Sequence, residues 1–203
     1  MADIRFVQAD TLKEKPADVS KVGFGRVFTD YMFEMDYNPE EGWHDARIVP
    51  YQDVPLSPAN ATLHYGQAIF EGCKAYRYEG GKAVVFRAKD HIARLNRSAK
   101  IVDIPEVDEK LVYDALMKLI DLEKDWIPDG PGQSLYIRPF IFSTDPYLGV
   151  SVGQYYKMMI ILSPVGAYYA NGFAPVKIMV EDTYVRAPKG GLGAAKTPAN
   201  YAA

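Results

Sequence analysis

The sequence predicts an α/β or α+β fold, and three observations support this. Several short runs are rich in residues that favour strands, and those at 134–142 and 156–162 are strongly apolar. Two other segments carry apolar residues at the spacing of an amphipathic helix. The two kinds of segment are mixed along the chain in an order that favours helices packed on a sheet.

The composition is that of an ordinary globular protein. The chain has 203 residues, of which 48% are hydrophobic and 24% charged, values that exclude a disordered or collagen-like chain. This length corresponds to one large domain or two small ones. A net charge of −3 argues against nucleic-acid binding, which requires a basic face. Because the sequence shows neither a signal peptide nor a bilayer-spanning segment, we expect a cytoplasmic protein that does not bind membranes.

Metal binding and thiol chemistry are not expected. The single cysteine, Cys73, cannot form an intrachain disulfide, and we expect it to be a small buried side chain without thiol regulation. The three histidines, His44, His64 and His91, are far apart and have no helical pairing. This spacing argues against a histidine metal site.

The first part of the chain predicts two strands with a long irregular stretch between them. Residues 26–36 are rich in β-formers and predict the first strand. The stretch at 38–60 is punctuated by proline and glycine, so loops are expected there. Residues 83–87 predict the second strand.

Two helices are predicted in the middle of the chain. Asp90 is placed to cap the first helix, over residues 91–99. Asp108 is placed to cap the second, over residues 108–124. The apolar stripe of this second helix consists of Leu111, Ala115, Leu116, Leu119 and Leu122.

The last part of the chain predicts further strands and a change of structural unit. Residues 156–162 form a nearly continuous apolar run, typical of a buried strand. Glycine and proline among aromatic residues then predict a linker at 165–175. The chain is thereby divided into an N-terminal α/β domain at 1–164, the linker, and the start of a C-terminal domain at 176–203. A strand is expected at 176–181.

The last segment contains a lysine suited to covalent catalysis. Lys196 lies among small residues, which allow a bulky planar ligand to approach the backbone. A lysine held away from water can form a Schiff base, whereas the alternative is an exposed lysine in a flexible glycine loop. The segment also resembles a P-loop with one glycine replaced by Ala195. Pro198 follows too closely for the helix that would bind phosphates, so we reject nucleotide hydrolysis.

Two upstream segments add aromatic residues and a cation. Tyr65 and Phe70 lie five residues apart beside glycines. Tyr136 and Arg138 are two residues apart in a predicted strand, so their side chains share one face. Such a pair can bind a carboxylate through charge-assisted hydrogen bonds, whereas the alternative is a surface arginine packed on a tyrosine ring.

The chain resembles the fold-type IV pyridoxal-phosphate aminotransferases in five motifs: LHYGQAIFEG, HIARLNRSAKI, SLYIRP, LSPVGAYY and VRAPKGGLGAAKTPANY. The branched-chain amino-acid aminotransferases are the most similar group, because FGRVFTDYM and EGWHDARIVPY resemble their longer-chain subgroup. The resemblance covers about residues 23–203. It implies the N-terminal domain of that fold, an open mixed sheet flanked by helices, with only the start of the second, cofactor-binding domain.

The resemblance implies pyridoxal 5′-phosphate as the cofactor and assigns three residues to it. Lys196 matches the lysine that forms the Schiff base and then moves a proton between Cα and C4′. Arg94, in HIARL, matches the arginine that binds the cofactor phosphate. Tyr201, in ANY, matches the tyrosine that bonds the pyridine 3′-oxygen.

The resemblance also implies a substrate pocket at a dimer interface. Its lining would consist of Phe24, Tyr65, Phe70, Tyr136 and Tyr168. Arg138 matches the arginine that binds the side-chain carboxylate of glutamate. Leu148 and Val150 match a loop that reaches into the pocket of the neighbouring subunit in a homodimer.

The implied activity is that of a branched-chain-amino-acid transaminase. Such an enzyme transfers the amino group of Leu, Ile or Val to 2-oxoglutarate, so its partners are amino acids and 2-oxo acids. In this family the second domain continues beyond the lysine, so a chain ending at Ala203 is expected to be inactive or nearly so. Two alternatives stay open. One is a non-catalytic dimerising domain of such an enzyme, and the other is a related enzyme, either a D-amino-acid aminotransferase or an aminodeoxychorismate lyase.

Overall fold

A mixed eight-stranded sheet forms the centre of the molecule, in a computed structural model that describes residues 4–168 and 174–201. The strands are β1 (Arg5–Phe6), β2 (Tyr31–Asn38), β3 (Gly42–Pro50), β4 (Ala68–Phe70), β5 (Cys73–Arg77), β6 (Ala83–Val85), β7 (Ser134–Ser143) and β8 (Tyr156–Val165). Their order is β1-β3-β2-β8-β7-β5-β6, and β4 also pairs with β7. All pairs are antiparallel except β1 with β3, which is parallel. The predicted mixed α/β class is therefore confirmed.

The helices are α1 (Ala61–Tyr65), α2 (Ala88–Ile101) and α3 (Glu109–Leu122). The two longer helices, α2 and α3, pack on one face of the sheet, whereas the short α1 is joined to the end of β7 by hydrogen bonds from Asn60 and Thr62 to the Ser143 carbonyl. The main core joins Leu95 of α2 and Leu119 of α3 to inward residues of the sheet such as Phe33 and Ile137. Each of these four side chains is fully buried. Because strand side chains alternate between faces, Tyr136 and Arg138 of β7 point to the opposite face.

The α3 helix confirms its predicted cap and corrects its predicted stripe. The Asp108 carboxylate accepts hydrogen bonds from Lys110 N at 2.7 Å and Leu111 N at 3.0 Å. The buried residues are Val112, Ala115, Leu116, Leu119 and Ile120. Leu122 was wrongly placed in the stripe and is 42% exposed. At about 100° per residue, Leu111 and Leu122 lie on the flank of the helix, roughly a quarter-turn from the centre of the buried stripe.

The α2 helix begins earlier than its sequence predicts. Its first residue is Ala88 and its N-cap is Arg87, which has a left-handed φ of 53°. The expectation that Asp90 caps the helix is therefore wrong. The Asp90 carboxylate instead accepts from Arg87 Nε at 2.5 Å, and Asp90 N already donates to the Arg87 carbonyl at 3.1 Å.

The stretch at 38–60, expected to be irregular, contains the whole of β3. The Asn38 side chain accepts from the backbone of Glu40 and Glu41 and so closes a turn that begins directly after β2. Pro39 lies in this hairpin turn and Gly42 ends it, whereas residues 51–60, which include Pro55 and Pro58, form no helix or strand, as expected. The strand predicted at 26–36 begins only at Tyr31, whereas those at 134–142 and 156–162 are confirmed as β7 and β8.

The strand predicted at 176–181 is not formed. Among the described residues no strand pairs with this segment, and Ile178, Met179 and Val180 are more than 80% exposed. An extended segment needs a hydrogen-bonded neighbour to become a strand, whatever its β-propensity. The predicted linker at 165–175 lies partly outside the described residues, at 169–173. The division into two domains therefore stays a prediction.

Candidate active site

Two hydrogen bonds join the lysine segment to the short strand β4, one at Lys196 and one at Thr197. Phe70 N donates to the Lys196 carbonyl at 3.0 Å, and Thr197 Oγ1 donates to the Ala68 carbonyl at 2.8 Å. Lys196 N donates to Ser98 Oγ of α2 at 2.9 Å. The backbone around the lysine is thereby joined both to the sheet and to the helix layer.

A short 3₁₀ turn at Pro198–Tyr201 brings Tyr201 back to the lysine. The buried side chain of Asn200 stabilises this turn, because its Nδ2 donates to the carbonyls of Ala195 at 2.7 Å and Leu192 at 3.0 Å. Lys196 Nζ then donates to the Tyr201 hydroxyl at 3.0 Å. A primary amine and a phenol thus lie side by side.

The Phe70 ring connects the lysine to a second cation. Lys196 Nζ and Arg138 Cζ each lie 4.5 Å from the centroid of this ring. The Phe70 and Tyr201 rings also contact each other, with centroids 5.2 Å apart. Both cations therefore gain electrostatic attraction from the same aromatic ring, and they remain available to polar ligands.

Arg138 and Tyr136 share one face of β7, and their side chains are bonded. Arg138 Nη2 donates to the Tyr136 hydroxyl at 3.0 Å. The buried Nε of Arg138 has no hydrogen-bond partner within the described part of the chain. The Tyr136 hydroxyl lies against Gly72, where an added Cβ would approach it to 2.2 Å, so only glycine fits there. Phe24 packs edge-on against Tyr136, with centroids 4.9 Å apart.

These residues line an open cavity of about 800 Å³ on the face of the sheet opposite the main core. The lining residues are Ala68, Ile69, Phe70, Tyr136, Arg138, Phe140, Ile161, Lys196, Pro198 and Tyr201. The walls are mainly apolar and aromatic, while the two cations and two phenols are concentrated at a few points. A largely apolar pocket with a few polar groups is typical of a small-molecule site.

A second cavity, of about 280 Å³, shares Lys196 and Tyr201 with the first. It is also lined by Arg94, by Arg186 and by residues 193–195. Arg186 was not predicted as a site residue, although it belongs to the motif that carries the lysine. Two arginines beside a lysine and small residues form a cavity suited to an anion.

Arg94 is held by a buried carboxylate. Glu71 is 0% exposed and accepts from Arg94 Nε at 2.5 Å and from Nη2 at 2.8 Å. It also contacts His91 Nδ1 at 3.0 Å and accepts from Gly72 N at 3.1 Å. Burial by itself would raise the pKa of the Glu71 carboxyl, but the hydrogen bonds from Arg94, His91 and Gly72 outweigh it and lower that pKa.

Four of the residues expected at the site lie away from the lysine cavities. The Tyr65 hydroxyl donates to the Leu148 carbonyl, and Tyr65 and Leu148 are both exposed. Val150, in the same loop as Leu148, is 86% exposed. Tyr168 is 78% exposed, next to the segment that the structure does not describe. The structure therefore brings together Lys196, Tyr201, Arg94, Phe70, Tyr136 and Arg138, with Phe24 at the margin.

The described residues were also compared with the requirements for metal binding, for a reactive thiol and for a membrane-spanning helix. Within 4–168 and 174–201, no group of three or more acidic, histidine or cysteine side chains is arranged to bind a metal ion. Cys73 is buried, and desolvation raises the pKa of its thiol to about 12, which makes it unreactive. None of the helices in those ranges is long and apolar enough to cross a bilayer.

Comparisons of sequence give a consistent group of relatives. No family model matches the chain. A probable branched-chain-amino-acid aminotransferase of Staphylococcus epidermidis is 52% identical over 201 residues, which are 98% of this chain and 56% of the relative. The branched-chain-amino-acid transaminase 1 of Bacillus subtilis is 55% identical over 192 residues, 94% of this chain and 54% of the relative. The chain thus spans about half the length of the curated relatives it matches.

Comparisons of structure agree with those of sequence. The branched-chain amino-acid aminotransferase of Escherichia coli matches with a TM-score of 0.59 and 28% identity, over 85% of this chain and 52% of that one. The branched-chain aminotransferase of Thermoproteus uzoniensis, solved with norvaline, matches with a TM-score of 0.55 and 26% identity, over 69% of this chain and 43% of that one. Over nearly its whole length the chain is therefore similar in sequence, and over most of it in fold, to branched-chain amino-acid aminotransferases.

Proposed function

We propose that the protein is a pyridoxal-phosphate-dependent branched-chain-amino-acid transaminase, which transfers the amino group of Leu, Ile or Val to 2-oxoglutarate. The observation that carries this proposal is the 3.0 Å contact between Lys196 Nζ and the Tyr201 hydroxyl, in a cavity that also contains Arg138. The names of relatives at about 50% identity support it. The chain spans only about half of the length of these relatives. We therefore propose the activity for the whole protein that contains this chain, not for the chain alone.

The residues around Lys196 fit pyridoxal 5′-phosphate. The lysine would provide a primary amine for its aldehyde, and Tyr201 would provide a phenol to hydrogen-bond the 3′-oxygen on its pyridine ring. Arg94 and Arg186, which line the smaller cavity, provide positive charge for its phosphate. When bound, the cofactor supplies the electron sink that stabilises negative charge at the substrate Cα.

The chain itself provides the groups that orient the substrate and move the proton. We infer that Lys196 Nζ would take the proton from the substrate Cα and deliver it to C4′ of the bound cofactor, while the bonds of Ser98 and Thr197 hold the lysine backbone in place. The Tyr201 hydroxyl lies within hydrogen-bond reach of Nζ and therefore limits where the amine can move.

The larger cavity is suited to two kinds of amino acid. Phe70, Phe140 and Ile161 provide apolar surface for a branched aliphatic side chain. Arg138, with its unpartnered Nε, provides charge-assisted donors for the side-chain carboxylate of glutamate. The Thermoproteus uzoniensis relative was solved with norvaline, which is also an aliphatic amino acid.

We also propose a homodimer and a cytoplasmic location. The exposed loop that contains Leu148 and Val150 presents apolar side chains to solvent, a pattern typical of a contact surface. A second copy would bring this loop to the pocket and would also cover the exposed Phe24, Tyr65 and Tyr168. A single buried cysteine is compatible with a reducing compartment.

The two alternatives are less well supported. A non-catalytic dimerising domain would have no need for a lysine, a phenol and two arginines around shared cavities. A D-amino-acid aminotransferase or aminodeoxychorismate lyase does not agree with the names of the relatives. Neither alternative has a specific observation in its favour.

The proposal is tested by the absorption spectrum of the purified whole protein that carries these residues, with added pyridoxal 5′-phosphate, followed by an assay with leucine and 2-oxoglutarate. We expect a visible band in the unmodified protein that is lost in Lys196→Ala. Lys189→Ala is the matched control, because Lys189 is an exposed lysine in the same segment, and its band should be unchanged. If the band is absent from the unmodified protein, or persists in Lys196→Ala, the proposal is wrong.

A further inference from the structure

We propose that Glu71 is the positioning residue for the phosphate-binding arginine, because its buried carboxylate holds the Arg94 guanidinium at the edge of the smaller cavity. This inference rests on the proposed function, in which Arg94 binds the cofactor phosphate. Glu71 was not among the site residues predicted from the sequence. In this view Glu71 touches neither cofactor nor substrate and acts only through Arg94.

The contact between the two side chains is bidentate. Glu71 Oε1 accepts from Arg94 Nε at 2.5 Å, and Oε2 accepts from Nη2 at 2.8 Å. Two parallel bonds define the plane and the rotation of the guanidinium, which a single bond would not do. A guanidinium has five N–H donors, so donors remain for an anion in the cavity that Arg94 lines.

The carboxylate is itself fixed with respect to Lys196. Glu71 N donates to the Pro139 carbonyl of β7 at 2.7 Å, and Phe70, the preceding residue, donates its N–H to the Lys196 carbonyl at 3.0 Å. His91 Nδ1 contacts the second carboxylate oxygen at 3.0 Å. Glu71 therefore connects Lys196 to Arg94, the two residues that we propose to bind opposite ends of the cofactor.

Burial distinguishes this contact from an ordinary surface ion pair. Glu71 is fully buried, whereas the Arg94 side chain is 46% exposed and lines a cavity. Long side chains in exposed ion pairs lose entropy and are screened, so they are weakly ordered. Here the acid is immobile and the base is accessible, as expected if the acid orients the base for a ligand. The lowered pKa of Glu71 means that the carboxylate is ionised at neutral pH.

Simple electrostatics makes the opposite prediction, and this makes the inference testable. A carboxylate beside Arg94 reduces the positive potential that an incoming phosphate would meet. If only charge mattered, Glu71→Gln would strengthen phosphate binding. If orientation matters, Glu71→Gln weakens it, because the amide cannot accept both bonds from the guanidinium.

The experiment compares two probes on the whole protein that carries these residues, pyridoxal 5′-phosphate and pyridoxal, which lacks the phosphate. Dissociation constants are measured from the Lys196-dependent absorption band in unmodified protein, Glu71→Gln, Arg94→Gln and the double variant. We expect Glu71→Gln to weaken binding of the phosphorylated probe by about 10- to 100-fold, as for loss of hydrogen bonds to a charged group, and binding of pyridoxal by less than about threefold. In the Arg94→Gln background, Glu71→Gln should add no further loss.

Glu34→Gln is the matched control. Glu34 is also buried and also paired with an arginine, since it accepts from Arg47 Nε at 2.8 Å, but it lies on β2, outside both lysine cavities. Its substitution should leave the affinity ratio of the two probes unchanged. Glu71→Asp, which retains the charge, should restore part of the lost affinity. If Glu71→Gln does not fold, the ratio of the affinities of Glu71→Asp for the two probes tests the inference instead.

The inference is overturned if Glu71→Gln weakens both probes equally, because that result indicates a general structural role. It is also overturned if the phosphorylated probe binds Glu71→Gln as well as, or better than, the unmodified protein. A different result bears on the proposed function: if the unmodified protein binds neither probe through Lys196, the proposed function fails and this inference fails with it.

Discussion

The two faces of the sheet differ in how completely their side chains are buried. On the helix-covered face, Ile137 of β7 and Leu119 of α3 are fully buried in one apolar core. On the open face, Tyr136 and Arg138 of the same strand line a cavity of about 800 Å³. Residues one position apart thus serve different purposes, and substitutions on the two faces should separate stability from ligand binding.

The two faces also differ in their buried polar atoms that lack a hydrogen-bond partner. The described side chains with buried, unpartnered polar atoms are Ser134, Arg138 and Ser163. Ser134 and Arg138 alternate with the core residues of β7, and Ser163 is the β8 partner of Tyr136, so all three belong to the open face. Unpaired buried polar atoms cost stability, which a protein accepts where a ligand or water completes the bonding.

The largest effect is expected on the covered face, from Leu119→Ala. Removing a fully buried leucine leaves a cavity in the core, so the free energy of unfolding should fall by about 2–5 kcal/mol. Urea unfolding of the full chain measures this change. Leu122→Ala is the control on the same helix, and its exposed side chain should contribute little. Equal losses in both variants would contradict the buried stripe described for α3.

A smaller effect, dependent on pH, is expected from Glu123 at the end of α3. Burial, together with the nearby Asp30, raises the pKa of its carboxyl to about 7, so the folded state favours the neutral acid. For an acid with a raised pKa, this stabilisation is present below about pH 4.5 and is lost as pH rises through 7. Glu123→Gln should therefore exceed the free energy of unfolding of the unmodified protein by less than about 1 kcal/mol at pH 5 and by about 3 kcal/mol at pH 8.

Urea unfolding of Glu123→Gln at the two pH values measures this difference. Glu40→Gln serves as the control, because Glu40 is an exposed acid in the β2–β3 turn. It should leave the difference between pH 5 and pH 8 unchanged. The stability advantage of Glu123→Gln over the unmodified protein should be larger at pH 8 than at pH 5. Equal advantages at the two pH values would show that the pKa of Glu123 is not raised in the folded state.

The smallest effect in energy, but the most selective, is expected on the open face, from Arg138→Met. Methionine preserves length and contact with the Phe70 ring but removes the charge that we propose for the carboxylate of glutamate. We expect kcat/KM for glutamate to fall by about 10- to 100-fold relative to that for leucine. Assays with both amino donors measure the ratio, and urea unfolding should change little. A uniform loss with both donors would contradict the assignment of Arg138.

Sequence patterns were sufficient wherever the signal was local. The Asp108 cap depends on a side chain and backbone groups within three residues, so it was predictable from the residues alone. The apolar runs of β7 and β8 are long enough to predict central strands without knowledge of their neighbours. The shared face of Tyr136 and Arg138 follows from the two-residue repeat of any strand.

Predictions failed where another part of the chain decides the outcome. β3 was expected to be a loop, but it gains its hydrogen bonds from β2 across a tight turn. The segment at 176–181 has the composition of a strand, but the described residues offer it no partner. Asp90 is suited to capping, but its pairing with Arg87 and the earlier start of α2 leave it inside the helix.

The sequence by itself determined the class of fold, the position of the strongest elements and, through its motifs, the family that it resembles and the candidate lysine. Only the tertiary structure decided which side chains meet. Glu71 and Arg94 are 23 residues apart, and Phe70 and Lys196 are farther apart still, yet both pairs are in contact. No local pattern encodes such contacts, because they depend on how β4, α2 and the lysine segment pack together. For the same reason, Arg186 and Glu71 became visible as site residues only in three dimensions.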